Sequence, residues 1–182
     1  MVRVMADQAF EAVVAAHHGE IHRYLARVTR RPSDADDLSQ ETFLRAYRAH
    51  GNLADGANVR AWLFAIATNL CRNHWRSEAR RRRAHELIGQ RDERRDGGGP
   101  EGEAVLEQAS GKIGAIVIAL PLKQRLAFTM RKIHELDYDA IGQSLDCSAE
   151  SARAHVFQAL RKVRRGLGDL AIAQVERGEP SA

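Results

Sequence analysis

Apolar residues recur at helical spacing wherever their pattern is regular, and no segment alternates convincingly with a period of two. The N-terminal segment is one long amphipathic stretch, loosened near Gly19, whose apolar residues are Phe10, Val13, Val14, Ile21, Tyr24, Leu25 and Val28. A second helix is predicted from Ser33 to about His50, with Ser33 as N-cap and Asp36 completing a capping-box-like pair. The start of the chain is therefore predicted to be helical throughout.

A loop with turn chemistry, Gly51 to Asn58, separates this segment from the next one. The next helix is predicted from Val59 to about Arg83, with apolar residues four apart at Trp62, Ile66 and Leu70. From Ala84 to Gly111 the pattern dissolves, and Arg91 to Gly102 is charged, glycine-rich and without large apolar residues. This composition predicts a flexible tether over residues 85–111.

Helical spacing returns near Ile113 and continues to about Val175, with Pro121 suited to the first turn of a helix. Three apolar faces follow one another: Leu122, Leu126, Thr129, Met130 and Ile133, then Tyr138, Ile141 and Leu145, then Ala152, Val156, Ala159, Leu160 and Val163. The predicted fold is all-α, with two small helical domains, 5–84 and 112–175, joined by a flexible linker.

The second domain has the layout of a helix-turn-helix. A short helix, Asp139 to Leu145, meets the tight turn Asp146 to Ser148, and a longer helix begins near Ala149 with Ser148 as its cap. Asp146 must then accept a positive φ. The predicted outward face of the longer helix offers Ser151, Arg153, His155 and Gln158 to base edges, followed by Arg161, Lys162, Arg164 and Arg165 for phosphates. The alternative is a helical hairpin with a solvated basic face.

Composition narrows the class of protein. The chain has 182 residues, of which 44% are apolar and 29% charged, typical of a globular protein with one or two domains. Its net charge of +4 is only mildly basic, so the clustering of Arg says more than the total. Two cysteines in unrelated contexts exclude a disulfide framework and favour a reducing cytoplasm. No signal peptide is predicted, and the longest apolar run, Ile113 to Leu120, is too short for a membrane span.

The helix predicted from Ser33 carries an acidic stripe. Asp34, Asp37 and Glu41 are expected to project to one side, with Gln40 and Leu44 alongside. An acidic stripe that ends in an apolar residue suits docking onto a basic coiled coil. An ordinary solvated face is the plainer reading, and a carboxylate cluster holding a metal for phosphodiester chemistry is the third.

The helix predicted from Val59 is polar and cationic toward its end. Asn69, Arg72, Asn73 and Arg76 lie together near Trp75, a combination that suits unstacked bases of single-stranded DNA. Trp75 could equally be a partly buried core residue. The run Arg80 to Arg83 contains no acid, which favours phosphate contact over a merely solvated helix end. Cys71 and His74 provide too few ligands for a zinc site, and no catalytic constellation stands out.

Taken together, these segments resemble a bacterial RNA polymerase sigma factor of the extracytoplasmic-function class. The segment Asp34 to Tyr47 looks like the family's core-polymerase-binding helix, and Arg60 to Asn69 is similar to its promoter-melting helix. In the second domain, Ala119 to Arg125 and Asp137 to Gly142 match the lead-in and the first element of the family's helix-turn-helix. The resemblance covers nearly the whole chain apart from the linker.

The resemblance implies two contacts with core polymerase, two with promoter DNA, and no cofactor, metal or catalytic residue. The β′ clamp helices of core RNA polymerase would meet Asp34, Asp37, Gln40, Glu41 and Leu44. The −10 promoter element would meet Asn58, Arg60, Asn69, Arg72, Asn73, Arg76 and Arg80, together with the loop before them. The −35 element would meet Ser151, Arg153, His155, Gln158 and Arg161. The helix after Pro121 would contact the β flap.

The implied function is promoter-specific transcription initiation, without enzymatic activity or membrane insertion, under the control of an anti-sigma factor. The recognition helix departs from the family at Ala154 and His155, where a hydroxyl residue and Arg are common, so the −35 sequence is left open. The alternative is a stand-alone helix-turn-helix regulator that never engages the polymerase. The more distant metal-dependent nuclease predicts Mg²⁺-dependent DNA cleavage by the chain alone.

Overall fold

The computed structural model describes residues 2–29, 31–54, 56–87 and 106–176, and these ranges are helical with short connections. The helices are α1 (Val2–Val28), α2 (Pro32–Ala49), α3 (Val59–Leu87), α4 (Leu106–Ala119), α5 (Leu122–Lys132), α6 (Tyr138–Leu145) and α7 (Ala149–Glu176). A single 3₁₀ turn, His50–Asn52, follows α2. The prediction of an all-α fold whose second part contains a helix-turn-helix is confirmed.

The first half of the chain is a three-helix unit built on the apolar faces of α1, α2 and α3. Its fully buried large side chains include Ile21, Tyr24 and Leu25 on α1 and Leu63 and Phe64 on α3. The corresponding buried residues of α2 are Ala35, Leu38, Ser39, Thr42, Phe43 and Ala46. One polar pair lies inside this core, because the Tyr24 hydroxyl is 2.8 Å from Thr68 Oγ1. The pair satisfies two hydroxyls that would otherwise be costly to bury.

The second half contains the helix-turn-helix, formed by α6 and α7. Asp137 caps α6 by accepting from the Ala140 N–H at 2.7 Å, and Asp146 ends that helix at φ 55°, as predicted. The turn then passes very close to α6, since a Cβ on Gly142 would lie 2.7 Å from the Cys147 carbonyl oxygen. Ser148 caps α7 by accepting from the Ser151 N–H at 3.1 Å, again as predicted. The angle between the two helices therefore depends on a glycine and two caps.

The two halves pack against each other through one continuous core. Helix α5 lies against α1, and α6 lies against α3. Buried residues of the second half join the first-half core at this junction: Leu126, Ala127, Met130, Leu136, Ala140 and Ile141. The Thr68 hydroxyl contacts Met130 Sδ at 3.8 Å across the junction. The structure is therefore a closed form in which the halves share apolar surface.

Arg125 lies in this junction with only 4% of its surface exposed. Its Nη1 donates to the Val28 carbonyl oxygen at 2.9 Å, and its Nη2 donates to the Leu120 carbonyl oxygen at 3.2 Å. Its guanidinium also lies 5.1 Å from the centroid of the Trp75 ring. One cation therefore donates hydrogen bonds to the C-terminal end of α1 and to the turn after α4, and also makes a cation–π contact with α3.

Several predicted boundaries differ from the observed ones. Helix α2 begins at Pro32 rather than after Ser33, and its N-cap position is Arg31 without a side-chain hydrogen bond. Proline fits the first helical position because it has no N–H that would need a partner, so the Ser33 cap was wrong. Helix α1 runs unbroken through Gly19, and Ile133 is 39% exposed rather than on the buried face.

The predicted tether was drawn too wide, because α3 reaches Leu87 and α4 already begins at Leu106. Both helices extend past the apolar residues that set the predicted pattern, into charged or small residues where periodicity gives little signal. The flexibility predicted for the stretch between them falls on residues 88–105, outside the described ranges.

Candidate nucleic-acid and protein interfaces

The acidic stripe of α2 is largely exposed, and its apolar end is too. Asp37 and Gln40 are exposed, and Leu44 keeps 44% of its surface in contact with solvent. Glu41 accepts a hydrogen bond from Arg45 Nε at 2.7 Å, one helical turn further along. These four residues form a surface with two acids, an amide and a leucine, here called the α2 face. Acids beside an exposed leucine can bind a helix that is both basic and apolar.

Asp34 does not belong to this face. Its carboxylate lies 3.4 Å from His74 Nε2, and its side chain is only 19% exposed, since the first turn of α2 packs beside α3. The acid that projects near the start of α2 is Asp36, which pairs with His22 Nε2 on α1 at 2.8 Å. The prediction that Asp34 projects with Asp37 and Glu41 was therefore wrong.

An open apolar groove between α1 and α2 adjoins the α2 face and was not predicted. It is lined by Phe10, Val14, Phe43, Leu44 and Tyr47, with Gln40 and Asp36 at its polar edge. The Phe10 and Tyr47 rings meet edge to face at 5.3 Å between centroids. The spacing of Phe43, Leu44 and Tyr47 on one helix was the available signal, but an apolar trio also fits an ordinary core face.

The polar end of α3 presents a continuous cationic face. Asn69, Asn73, Arg76 and Arg80 are exposed, and Arg72 lies half-buried beside them with its Nη1 3.5 Å from Asn69 Oδ1. From Asn69 to Arg80 the helix rises by about 16 Å. That length matches about five stacked nucleotides at about 3.4 Å each. Arg81, Arg82 and Arg83 continue the exposed cationic surface. The structure thus groups the predicted amides and cations as the sequence pattern indicated.

Two residues predicted to bind the same DNA element are already engaged within the chain. Asn58 caps α3, because its Oδ1 accepts from the Ala61 N–H at 3.0 Å. Arg60 donates two hydrogen bonds to the Glu20 carboxylate, from Nε at 3.0 Å and from Nη2 at 2.5 Å. Arg60 Nη2 also donates to the His134 carbonyl oxygen in the second half. In the closed form, Arg60 therefore ties the halves together rather than facing solvent freely.

His134 completes this network from the loop between α5 and α6. The ring is buried, lies 5.1 Å from the Phe64 ring and 5.7 Å from the Tyr24 ring, and places Nδ1 3.2 Å from Glu20 Oε1. The hydrogen bond from Arg60 holds the pKa of Glu20 below its usual value. Burial lowers the pKa of His134, and the nearby cations Arg60 and Arg27 act in the same direction, against the Glu20 carboxylate. Single-sequence patterns gave no hint of this contact between residues 114 positions apart.

The outward face of α7 carries most of the predicted base-reading set. Ser151, Arg153, Gln158 and Arg161 are exposed, and Gln158 Oε1 accepts from Gln124 Nε2 of α5 at 2.7 Å. His155 is only half-buried in this set, and burial together with Lys123 lowers its pKa. Position 155 follows Ala152 by three and precedes Ala159 by four, so it borders the buried stripe. The prediction that His155 projects fully outward was wrong.

Two further exposed side chains on α7 were missed as candidates. Phe157 is 61% exposed, the largest exposure among the large apolar residues that the structure describes, and Ala154 is exposed one turn before it. Arg153 stacks on the Tyr138 ring at 4.9 Å from the centroid. The exposed face of α7 is therefore mixed, with cations, amides and apolar atoms, as expected of a surface that meets base edges in a groove.

The described residues offer no group of three or more His, Cys, Asp or Glu side chains that could hold a metal ion. Both cysteines are free, and burial raises the pKa of the Cys71 thiol to about 12, so it stays protonated at neutral pH. Among the helices described here, none is long and apolar enough to cross a membrane.

Two family models match the chain in sequence order. The model of Sigma-70 region 2 matches residues 13–81, and that of Sigma-70 region 4 matches residues 110–163. The first match contains the α2 face and the cationic face of α3, and the second contains the helix-turn-helix. A stand-alone helix-turn-helix regulator has no use for the first region, so this pairing separates the two readings of the sequence.

Similar proteins agree with these matches over almost their whole length. The chain is 26% identical over 170 residues to the RNA polymerase sigma-H factor of Pseudomonas aeruginosa, covering 90% of this chain and 88% of that one. It is 27% identical over 161 residues to the ECF RNA polymerase sigma-E factor of Escherichia coli K12, covering 84% and 83%.

Solved structures share the fold. The sigma factor RpoE of Bartonella quintana, crystallised with the anti-sigma factor NepR, superposes with a TM-score of 0.69 at 19% identity, over 88% of this chain and 98% of that one. CnrH, in complex with the cytosolic domain of CnrY, gives a TM-score of 0.66 at 20% identity, over 92% and 97%.

Proposed function

Because the chain belongs to the extracytoplasmic-function class of bacterial RNA polymerase sigma factors, we propose that it docks on core RNA polymerase and directs it to promoters through two separate DNA-reading surfaces. The observation that carries this function is the presence, on one chain, of an exposed acidic face and two cationic faces on three different helices. A molecule of this kind links a protein machine to DNA. It works in the cytoplasm, where the polymerase is.

The α2 face is the proposed docking site for the β′ clamp helices. Asp37 and Glu41 supply the negative charge, Gln40 supplies an amide, and Leu44 supplies apolar contact. The neighbouring groove between α1 and α2 continues this surface with aromatic side chains. Opposite charge steers the encounter, while the apolar groove provides burial once the helices meet. The helix after Pro121 is the proposed contact for the β flap.

The cationic face of α3 is the proposed site for the −10 element. Asn69 and Asn73 are exposed amides that can hydrogen-bond the edge of an unstacked base. Arg72, Arg76 and Arg80 flank them and can neutralise phosphates of the separated strand. Asn58 and Arg60 are excluded from this set in the closed form, since both have partners inside the chain.

The exposed face of α7 is the proposed site for the −35 element. Ser151, Arg153 and Gln158 are placed toward the N-terminal part of the helix, which enters the major groove in this type of motif. Arg161 lies further along and can reach the phosphate backbone. Promoter opening then follows from base capture at −10, and the polymerase performs all bond chemistry, so the chain itself is non-catalytic.

An anti-sigma factor is the proposed regulator. Two structures of similar fold are complexes, one of RpoE with the anti-sigma factor NepR and the other of CnrH with the cytosolic domain of CnrY. In this chain, the closed form already engages Arg60 and covers Trp75 with Arg125, so a partner that binds it would hold DNA-facing surface out of reach.

Pull-down of purified core polymerase by the tagged chain tests the docking site. We expect Asp37→Arg and Glu41→Arg each to weaken core binding at least tenfold, whereas Glu11→Arg, which reverses an exposed acid on α1, serves as the matched control. Equal binding by all three variants would remove the α2 face from the mechanism. Absence of core binding by the unmodified chain would remove the function itself.

A further inference from the structure

The Tyr138 ring lies against two guanidinium groups at the start of the helix-turn-helix. The Arg153 guanidinium carbon is 4.9 Å and the Arg131 guanidinium carbon 5.0 Å from the ring centroid. Arg131 is further fixed by donating from Nη1 to the Leu136 carbonyl oxygen at 3.0 Å. The ring itself is half-buried and packs against the main core. The Tyr138 ring is thus held in place by the core and contacts Arg153, a residue of the proposed −35 site.

A guanidinium that stacks on a ring keeps its N–H edges available. An unconstrained Arg side chain carries about 2 kcal/mol of rotamer entropy, part of which is lost when it pairs with a base. Stacking limits the rotamers before DNA arrives, so less is lost on binding. Arg153 is the fifth residue of α7 and is exposed, so its guanidinium is accessible on the N-terminal part of the helix, which enters the major groove in this type of motif.

We propose that Tyr138 is the positioning residue for Arg153: its ring holds the guanidinium in the orientation that pairs with both acceptors of one guanine in the −35 element. Guanine presents O6 and N7 in the major groove, and the planar fork of Arg matches both. Tyr138 reaches no base in this scheme and acts only through Arg153. The proposal rests on the proposed −35 reading by α7, and the test below separates the two.

The test uses holoenzyme assembled from core polymerase and the full-length chain. Its probe is a fluorescent duplex selected with unmodified holoenzyme from a library randomised over the −35 region. Each guanine is then replaced singly by 7-deazaguanine, which lacks N7. Anisotropy gives the Kd of each substituted duplex, and dividing it by the Kd of the unsubstituted duplex gives a ratio for that guanine. Unmodified protein should show one guanine with a ratio of about ten.

Three variants of Tyr138 then isolate the ring. Tyr138→Leu, which fills space without a π face, should reduce that ratio to about two. Tyr138→Phe, which keeps the π face, should leave the ratio at about ten. Replacement of Tyr138 by pentafluorophenylalanine keeps the shape but reverses the ring quadrupole, and it should behave like Leu. This last variant keeps the test valid if the Leu variant unfolds, and a thermal melt of each variant accompanies the binding data.

A double-mutant cycle with Arg153→Ala separates the possible failures. If Arg153→Ala leaves the ratio unchanged, the −35 assignment of Arg153 is wrong. If Arg153→Ala abolishes the ratio but the Leu and pentafluoro variants keep it, guanine reading stands and the positioning role is overturned. If replacing Tyr138 weakens binding equally with and without Arg153, the ring is purely structural. Support requires that replacement of the ring add nothing once Arg153 is absent.

Discussion

Replacing Arg125 with Met is expected to destabilise the closed form more than any other single loss of a cation in the described structure. Methionine keeps the apolar stem in the junction but removes the guanidinium, which serves two backbone carbonyls and one aromatic ring at once. The carbonyls of Val28 and Leu120 would lose a charged donor at the ends of two helices, where the helix dipole favours a cation. The Trp75 ring would lose its cation–π contact.

The size of the effect follows from these contacts. A cation at a partly buried helix C-terminus contributes up to about 2 kcal/mol. A desolvated cation–π contact contributes about 2 kcal/mol as well. The variant no longer has to desolvate a guanidinium, which offsets part of the loss, so a net cost of about 3 kcal/mol is expected. For a chain of this size that corresponds to a fall in Tm of roughly 6–12 °C.

Thermal unfolding followed by circular dichroism measures the loss, and tryptophan fluorescence reports the junction, because uncovering Trp75 should shift its emission to the red. Arg164→Met, which removes an exposed cation from α7, is the matched control and should change Tm by about 1 °C or less. An Arg125→Met variant that melts within about 1 °C of the unmodified chain and keeps its emission maximum would refute the reasoning, since a cation with these contacts cannot then be stabilising the junction.

Three other predictions concern pH, packing and promoter opening. Because the pKa of His134 is lower in the folded chain than its ordinary 6.5, the unfolded chain binds more protons at acid pH. Stability should therefore fall as pH drops below 6.5. Below pH 4.5 the lowered pKa of Glu20 adds to this fall, because the unfolded chain protonates that carboxylate first. A His134→Gln variant should show a shallower curve of Tm against pH between pH 6.5 and 5. Gly142→Ala should lower the free energy of unfolding by at least 2 kcal/mol in urea titrations, because its Cβ would lie 2.7 Å from a backbone oxygen; a milder loss would mean that the turn yields easily. The double variant of Asn69→Ala and Asn73→Ala should keep core binding yet reduce permanganate reactivity of −10 thymines about tenfold, and unchanged reactivity would exclude this face from base capture.

The sequence was most informative where one local pattern determines the structure. The period of the apolar residues located the helices other than α4, and the Asp146 and Ser148 chemistry of the turn between α6 and α7 was predictable because caps act within three residues. The exposed amides and cations of α3 were predictable for the same reason, since four-residue spacing places them on one face.

The sequence was least informative about contacts between distant segments. Asp34 shared the helical spacing of Asp37, yet its carboxylate lies against His74 of α3, because helix crossing rather than periodicity decides which side of α2 is covered. Arg60 was assigned to DNA by its place in a motif, but it binds Glu20 of α1 and, across the junction, the His134 carbonyl oxygen. Nothing in a single sequence pairs residues that only a tertiary fold brings together.

The junction between the halves has a consequence for affinity, because both of its surfaces belong to one chain. Closure is a first-order equilibrium, so dilution cannot open the protein as it would separate two subunits. Any ligand that requires the halves apart must supply the free energy of opening from its own binding. Each kcal/mol of closure then weakens the apparent affinity of such a ligand about fivefold. Substitutions at Arg125 or His134, neither of which is among the residues proposed to contact bases, should therefore tune how tightly the chain engages its promoter complex.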